Sequence, residues 1–200
     1  MLNKYTEPSE WHYKAPFNNP GGQEDFTKDI QIHDNTFDGE FKVGICLGSR
    51  LSEIEEGENI VIKRNLFLDT KGLNPNYYPA LFFSVKNIVF EGNTIGVLKG
   101  GTYNSPSDNV YFYCDNCSGE LVAEKNAVTT KVEKGKRYVF SIAGSHFDRA
   151  TIKDDSKQGF FLHYTPETKL SVKEATIITN CEPFPGTKYG GDVKQISNRN

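Results

Sequence analysis

The chain has 200 residues, of which 36% are hydrophobic and 12% aromatic, and its formal net charge is −3. These values suit one soluble domain with a sizeable core. Because the lysines and arginines are scattered rather than clustered, nucleic acid is not expected as a partner. No apolar run approaches the roughly 18 residues that a membrane span requires, and residues 1–14 lack the apolar segment of a signal peptide.

The two ends of the chain differ from its middle. Residues 1–27 show no periodicity and contain the only tryptophan, so they are expected to form an N-terminal covering segment. Residues 28–177 contain a repeat and are treated as one domain. Residues 178–200 are rich in Pro, Gly, Lys and Asn, which predicts a C-terminal cap followed by a frayed tail.

The middle of the chain repeats one phrase. Residues 58–67 read ENIVIKRNLF, and residues 86–95 read KNIVFEGNTI. With weaker copies included, six are predicted, spaced by 30, 28, 22, 30 and 30 residues, and their anchors are Asp29, Asn59, Asn87, Asn109, Val139 and Lys169. This period is typical of a solenoid, whose units stack because none can bury its apolar face alone.

Each copy predicts one short β-strand followed by a turn. The position after the anchor and the position two residues later are apolar in every copy, as in Ile60 and Ile62. Apolar residues two apart share one face of a strand, so that face is predicted to be buried and the alternate positions to point outward.

A small polar residue marks each predicted turn, and an apolar residue such as Phe67 follows it back into the core. The polar position is occupied by Asn35, Asn65, Asn93, Asp115, Ser145 and Ala175 in successive copies. Stacked asparagines can hydrogen-bond to one another along the solenoid axis, which satisfies amides that are costly to bury.

These features resemble the right-handed parallel β-helix family, whose coils combine an aliphatic strand, a short loop and the phrase N-x-I-x-I-x-x-N-x-F. Preceding strands are visible in VGICLGS (43–49), PALFFSV (79–85) and GFFLHY (159–164). The resemblance implies an all-β fold, a right-handed single-stranded parallel β-helix of about six coils.

The alternative fold is a leucine-rich repeat, which shares the phrase I-x-I-x-x-N-x-F. It expects a further apolar residue three positions before the first apolar residue of each copy. Most copies lack it, since the residues there are Thr27, Gly57, Val85 and Ser107.

The cysteines give no dense disulfide framework, because there are only four of them. Cys114 and Cys117 have C-x-x-C spacing, but no second such motif and no H-x-x-x-H accompanies them. Cys117 also occupies an inward position of the repeat, so buried structural thiols are predicted. No metal and no other cofactor is expected.

The proteins that the chain resembles are mostly carbohydrate-active enzymes and phage tailspikes. The resemblance implies a glycoside hydrolase or polysaccharide lyase acting on extracellular glycan, of which this chain is all or only the C-terminal portion. The alternatives are a non-catalytic glycan-binding or adhesive module of a phage tail or cell surface, and a purely structural segment. The expected partner is a polysaccharide or oligosaccharide, and the expected location is extracellular or periplasmic.

The open first coil of such a solenoid would expose sheet edges, so self-association or a partner that covers this coil is also expected.

Candidate catalytic residues come from the outward positions, because neither the G-H-G of polygalacturonases nor the R-P-x-x-R of pectate lyases occurs. His33, Lys63 and Glu91 follow one another on successive coils, beside Arg64, and combine an acid, a base and an imidazole. The alternative is a surface Lys63–Glu91 ion pair with a solvated His33, which contributes little to stability. Further carboxylates follow the predicted turns at Asp38, Glu40 and Asp69.

Tyrosines supply the predicted sugar-binding surface, because aromatic rings stack on the apolar faces of sugars. The candidates in outward positions or loops are Tyr77, Tyr78, Tyr111 and Tyr113, the first two within NPNYYP (74–79). The alternative is ordinary stacking between coils. Residues 118–136 and 148–158 are expected to be irregular loops, which are the second place to seek a site.

Overall fold

The computed structural model describes residues 17–19, 28–38, 43–48, 57–68, 78–96, 108–129, 137–142, 145–154, 161–163, 174–178 and 192–196. These residues form strands and no helix. The strands are β1 (Phe17–Asn19), β2 (Gln31–His33), β3 (Thr36–Asp38), β4 (Val43–Gly48), β5 (Gly57–Lys63), β6 (Leu66–Leu68), β7 (Tyr78–Phe83), β8 (Val85–Glu91), β9 (Thr94–Ile95), β10 (Asp108–Asp115), β11 (Ser118–Val128), β12 (Arg137–Ser141), β13 (His146–Asp154), β14 (Phe161–His163), β15 (Glu174–Ile178) and β16 (Asp192–Ile196).

All pairs between these strands are parallel. Sheet A has the order β1-β4-β7-β10-β12-β14, and sheet B has the order β16-β15-β13-β11-β8-β5-β2. Sheet C contains β3, β6, β9 and the end of β11. From β1 to β9 the chain visits the three sheets in turn. The described part is therefore all-β and parallel, and it is compatible with a β-helix or another solenoid.

The core lies between the sheets and is built mainly by alternate residues of the strands whose side chains the structure describes. The residues predicted to form one continuous core are all 0% exposed and belong to one cluster, as predicted: Ile60, Ile62, Phe67, Ile88, Phe90 and Ile95. Aromatic rings stack from coil to coil, with the centroids of Phe112 and Phe140 4.1 Å apart. Burying each such large side chain stabilises the fold by about 1.5–3 kcal/mol.

The turn from sheet B to sheet C is the same in successive coils. Its first residue is Asp34, Arg64, Gly92 or Lys125, with φ of 58°, 52°, 65° and 57°. Only glycine adopts this left-handed conformation without strain. Backbone bonds between coils hold it, such as that from the Arg64 N–H to the Glu91 carbonyl oxygen at 3.0 Å.

The predicted asparagine ladder follows this turn. Asn65 Oδ1 accepts the backbone N–H of Asn35 at 3.0 Å, and Asn93 Oδ1 accepts that of Asn65 at 3.0 Å. The side-chain amides of Asn65 and Asn93 are also joined, at 3.1 Å. Both residues are almost completely buried, so the ladder is confirmed in the first three copies.

The fourth member of the ladder is Asn126, whereas Asp115 was expected there. Asn126 Oδ1 accepts the backbone N–H of Asn93 at 2.9 Å. Asp115 instead ends β10, a strand of sheet A. The prediction for the fourth copy is therefore wrong in register.

The predicted fourth and fifth copies fall on strands of the wrong sheet. Asn109 lies in β10 and Val139 in β12, both in sheet A. Sheet B continues after β8 with β11, where Leu121 pairs with Ile88 and Ala123 with Phe90. The step from Asn87 to Glu120 is 33 residues, not 22. The copy was missed because Asn109, followed by the apolar alternation of β10, gives a competing match to the same phrase.

Much of the sequence expected to be irregular is strand. Residues 118–128 form β11, and residues 148–154 belong to β13. The rest of those two stretches, apart from residue 129, lies outside the described residues. The expectation of long loops there is wrong because the sheet B strands of these coils were not recognised.

The ends of the chain are described only in part. Within residues 1–27 the structure describes β1, which pairs with β4 in sheet A. Within residues 178–200 it describes the end of β15 and β16, which pair in sheet B. The remainder of the covering segment and of the cap and tail lies outside the described residues. In the described part of the chain, no helix has the length and apolarity to cross a membrane.

Candidate functional site

Three of the four predicted catalytic residues lie on the outward face of sheet B at the ends of its strands, namely His33, Lys63 and Glu91, and the fourth, Arg64, lies in the turn that follows β5. His33 pairs in register with Lys63, and Lys63 pairs with Glu91. Glu91 pairs in turn with Glu124 of β11. Parallel neighbours lie about 4.8 Å apart, so these side chains form one outward column.

Ion pairs join the neighbouring members of this column. Lys63 Nζ lies 2.9 Å from Glu91 Oε2, and Lys125 Nζ lies 2.6 Å from Glu91 Oε1. Lys153 Nζ lies 2.9 Å from Glu124 Oε2, and Lys125 Nζ lies 3.7 Å from Glu124 Oε1. We call the five residues Lys63, Glu91, Lys125, Glu124 and Lys153 the ion-pair ladder.

Glu91 is held ionised by its two neighbours. The hydrogen bonds from Lys125 and then from Lys63 lower the pKa of its carboxyl from 4.5 to about 2, against a smaller opposing effect of burial. A general acid at neutral pH needs a pKa near the working pH. Glu91 therefore carries no proton to donate, and each of its oxygens accepts from an ammonium group.

His33 and Arg64 belong to a separate exposed cluster centred on Asp34. Arg64 donates from Nε to Asp34 Oδ1 at 2.7 Å and from its terminal nitrogen to Oδ2 at 2.6 Å. His33 Nδ1 lies 2.8 Å from the same Oδ2. The bond from Arg64, followed by that from His33, lowers the pKa of Asp34 from 3.8 to about 2. The four predicted catalytic residues thus divide between two ion-paired groups.

The predicted Lys63–Glu91 ion pair is present, and His33 is about half exposed beside Asp34. This matches the interpretation of the column as a paired surface. Surface pairs of this kind each contribute about 0–1 kcal/mol.

Two of the four predicted sugar-binding tyrosines are buried. Tyr111 is 4% exposed and packs edge-on against Phe140 in the main core, with ring centroids 5.6 Å apart. Tyr113 is 2% exposed and packs edge-on against Phe83. The expectation that Tyr111 and Tyr113 are accessible on the surface is therefore wrong.

Tyr113 is buried because the face of β4, β7 and β10 that points away from the main core is also buried. A second apolar cluster is at most 3% exposed and consists of Val43, Cys46, Leu81, Phe83, Val110 and Tyr113. In register, Tyr113 pairs with Leu81, and Leu81 pairs with Cys46. Sheet B, in contrast, presents half-exposed and exposed side chains on its outer face.

The other predicted binding residues are described less completely. Tyr78 opens β7, but its side chain lies outside the described residues, as does all of Tyr77. Asp38 ends β3 and is exposed, whereas Glu40 and Asp69 lie outside the described part. Among the described side chains, no three His, Cys, Asp or Glu residues converge to hold a metal ion.

Sequence reasoning missed Glu124, Lys125 and Lys153. A signal was present, because Glu124-Lys125-Asn126 has the same form as Lys63-Arg64-Asn65 and Glu91-Gly92-Asn93. An alignment on the turn asparagines Asn93 and Asn126, rather than on the anchors, places Glu124 in the same position as Glu91.

The outer face of sheet B carries two more columns of side chains beside the ion-pair ladder. Val61, Val89 and Val122 pair in register and are partly exposed. We call these three residues the valine stripe. On its other side is a column of amides, in which Asn87 Nδ2 donates to Asn59 Oδ1 at 3.0 Å and Asn59 Nδ2 donates to Asp29 Oδ1 at 2.9 Å.

The chain matches no protein-family model, no curated protein and no solved structure.

Proposed function

We propose that the chain is a right-handed single-stranded parallel β-helix that acts as a non-catalytic glycan-binding or adhesive module. The fold is supported by the parallel sheets, by the return of the chain to each sheet in turn, and by the buried asparagine ladder. A leucine-rich repeat would place one strand and a helical segment in each unit. The described units instead contribute strands to two or three sheets.

The observation that carries the non-catalytic role is the pairing of both carboxylates in the outward column. Glu91 contacts two ammonium groups and Glu124 contacts two as well. The bond from Lys153 is the main cause of the lowered pKa of Glu124. Neither group has the raised pKa of a general acid, so the column serves better as a rigid surface than as a reaction centre.

The valine stripe supports a glycan as the ligand. Sugars present apolar C–H faces and a rim of hydroxyl groups, and the stripe is an apolar strip between a row of amides and a row of charges. Hydroxyl groups can hydrogen-bond to both rows, and those bonds that involve a charge are the stronger ones. The rows repeat about every 4.8 Å along the stack, which suits a chain of sugars lying across several coils.

Tyr77 and Tyr78 complete the proposed binding surface by stacking on sugar rings. The proposed location is extracellular or periplasmic, where such glycans occur. At the first coil, we propose that a second copy of the chain or another protein covers the edges of β2 and β3.

A glycan panel tests the proposal when it is assayed both for retention and for product. We expect retention of at least one polysaccharide, with neither new reducing ends nor an unsaturated product. Val89→Lys places a charge in the valine stripe and should abolish retention. Lys86→Ala is the matched control, because Lys86 is exposed on the same strand outside the stripe. Equal retention by parent and Val89→Lys would contradict the proposed surface.

A polysaccharide-processing enzyme is the second candidate, and one observation favours it. Glu91 and Glu124 are register partners on adjacent coils, so their backbones lie about 4.8 Å apart, a spacing comparable to the roughly 5–5.5 Å between the carboxyl groups of retaining glycosidases. Their lysine partners oppose this role by keeping both groups ionised. Release of reducing ends that is lost in Glu91→Gln or Glu124→Gln would establish the enzyme instead.

A further inference from the structure

The turn from β10 in sheet A to β11 in sheet B holds two buried thiols. Cys114 lies near the end of β10 and Cys117 immediately precedes β11, and both are 0% exposed in the main core. Between them Asn116 has a φ of 54° and forms a bend. The chain therefore turns sharply between the cysteines while both side chains enter the same core.

Shared contacts bring the two sulfur atoms together. Cys114 is the register partner of Phe82, and Cys117 Sγ lies 3.7 Å from the carbonyl oxygen of the same Phe82. Cys117 Sγ also lies 3.5 Å from the carbonyl oxygen of Asp115, the residue that follows Cys114. Burial, followed by the neighbouring Cys117 side chain, raises the pKa of the Cys114 thiol, as expected for two side chains that lie beside each other.

The neighbouring coils hold this turn in place. On one side, Asn116 Nδ2 donates to Ser84 Oγ at 2.9 Å, and the Ser84 N–H donates to the Asp115 carbonyl oxygen at 2.9 Å. On the other side, the Cys117 N–H donates to Ser145 Oγ at 3.1 Å. The folded state thus keeps the two thiols adjacent without a covalent bond.

We propose that Cys114 and Cys117 form a disulfide bond with each other when the chain folds in the presence of a small-molecule disulfide oxidant such as glutathione disulfide. One cysteine thiolate attacks the oxidant, forming a mixed disulfide and releasing one molecule of reduced thiol. The second cysteine attacks the mixed disulfide, closing the protein disulfide and releasing the second thiol. The protein loses two electrons and two protons, and the oxidant takes up both.

Burial determines when the bond forms. Thiol exchange requires a thiolate that the oxidant can reach. Both sulfurs are inaccessible in the folded chain, and burial raises the pKa of the Cys114 thiol. Oxidation is therefore fast during folding and slow afterwards. Cys46 is not the partner, because it lies in the second apolar cluster, in register with Leu81 rather than with either cysteine.

Refolding of the full chain in a mixture of reduced and oxidised glutathione, followed by acid quenching, alkylation in denaturant so that buried thiols react, and peptide mass mapping, tests the proposal. We expect the peptide that contains Cys114 and Cys117 to be unalkylated and lighter by two hydrogen atoms than its reduced form. Refolding in reductant alone should give the same peptide with both cysteines alkylated. Alkylation of either cysteine after oxidative refolding, or a link from either one to Cys46 or Cys181, would overturn the proposal.

Two variants make the result specific. Cys117→Ser should convert the internal disulfide into a glutathione adduct on Cys114, because the second attacking thiol is gone. Cys46→Ser should leave the disulfide unchanged. A glutathione adduct that persists on Cys114 in the parent chain would also contradict the proposal, and mapping of the parent remains decisive if a variant fails to fold.

Discussion

Lys125 Nζ lies 2.6 Å from Glu91 Oε1, although 34 residues separate the two in the chain. Lys125 reaches Glu91 from the turn of the following coil, while Lys63 reaches it from the preceding coil at 2.9 Å. A carboxylate enclosed in this way fixes the register of three successive coils at one point. Both oxygens of this carboxylate therefore face ammonium groups.

In Glu91→Gln, the free energy of unfolding should fall less steeply than in the parent as the pH is lowered. The folded pKa of Glu91 is depressed to about 2 from 4.5, so its contribution is present above the unfolded pKa and is lost as the pH falls from about 4.5 towards 2. Because the pairs lie at the surface, we expect about 1 kcal/mol at pH 7. Urea unfolding of parent and variant between pH 7 and pH 2 measures the difference, which should shrink over that window.

High salt offers a control for the same prediction. Salt screens exposed ion pairs, so the difference between parent and Glu91→Gln at pH 7 should also shrink in concentrated sodium chloride. A difference that is independent of both pH and salt would mean that the carboxylate acts through packing rather than through charge.

Asn93→Ala should destabilise the fold strongly. The Asn93 amide donates to the Ile62 carbonyl oxygen at 3.0 Å and accepts from the Asn65 backbone N–H at 3.0 Å, and both partners would be left unsatisfied inside the protein. Each such group costs about 1–3 kcal/mol. Asn59→Gly is the control, because it removes exposed amide bonds and glycine accepts the positive φ of Asn59. Similar decreases in the free energy of unfolding in the two variants would argue against the asparagine ladder as a main source of stability.

Ile62→Ala should cost about 2–5 kcal/mol, as other large-to-small core changes do. Ile62 is 0% exposed in the main core, whereas the adjacent Val61 is partly exposed on the outer face. Val61→Ala should therefore cost clearly less than Ile62→Ala. Chemical denaturation of both variants checks the inward and outward assignment of β5, and a larger loss in Val61→Ala would reverse it.

Arg64→Gly should be more stable than Arg64→Ala by about 1 kcal/mol, because a left-handed residue with a Cβ costs about that much. Both variants lose the bonds to Asp34, so the comparison isolates the backbone strain at φ 52°. Gly92, at the same turn position of the next coil, already shows the residue that this conformation prefers. Equal midpoints of unfolding would mean that the turn relaxes when the side chain is removed.

Tyr78→Ala should weaken glycan retention in the panel, whereas Tyr113→Phe should leave it unchanged. Tyr113 is 2% exposed, so the loss of its hydroxyl group can affect stability but not a surface contact. Unaltered retention in Tyr78→Ala, combined with loss in Val89→Lys, would confine the binding surface to the outer face of sheet B.

The sequence by itself determined the local features of the fold. Alternation of apolar residues places Ile60, Ile62, Ile88 and Phe90 on one buried face, because successive side chains of a strand point to opposite sides. Asn65 and Asn93 at a fixed distance from that pattern indicate the turn and its ladder. The Lys63–Glu91 pair follows from the same register, since both residues occupy the same position of adjacent copies.

Only the tertiary structure decided which copy belongs to which sheet and which faces are accessible. Strands of sheets A and B share the same two-residue alternation, so Asn109 and Val139 mimic a repeat whose true continuation in sheet B is Glu120-Leu121-Val122-Ala123. Alternation also shows that a residue such as Tyr113 leaves the main core, but not that it is buried in a second apolar cluster. The contact of Lys125 with Glu91 depends on the stacking of coils of unequal length, and that stacking comes from long-range packing rather than from local sequence.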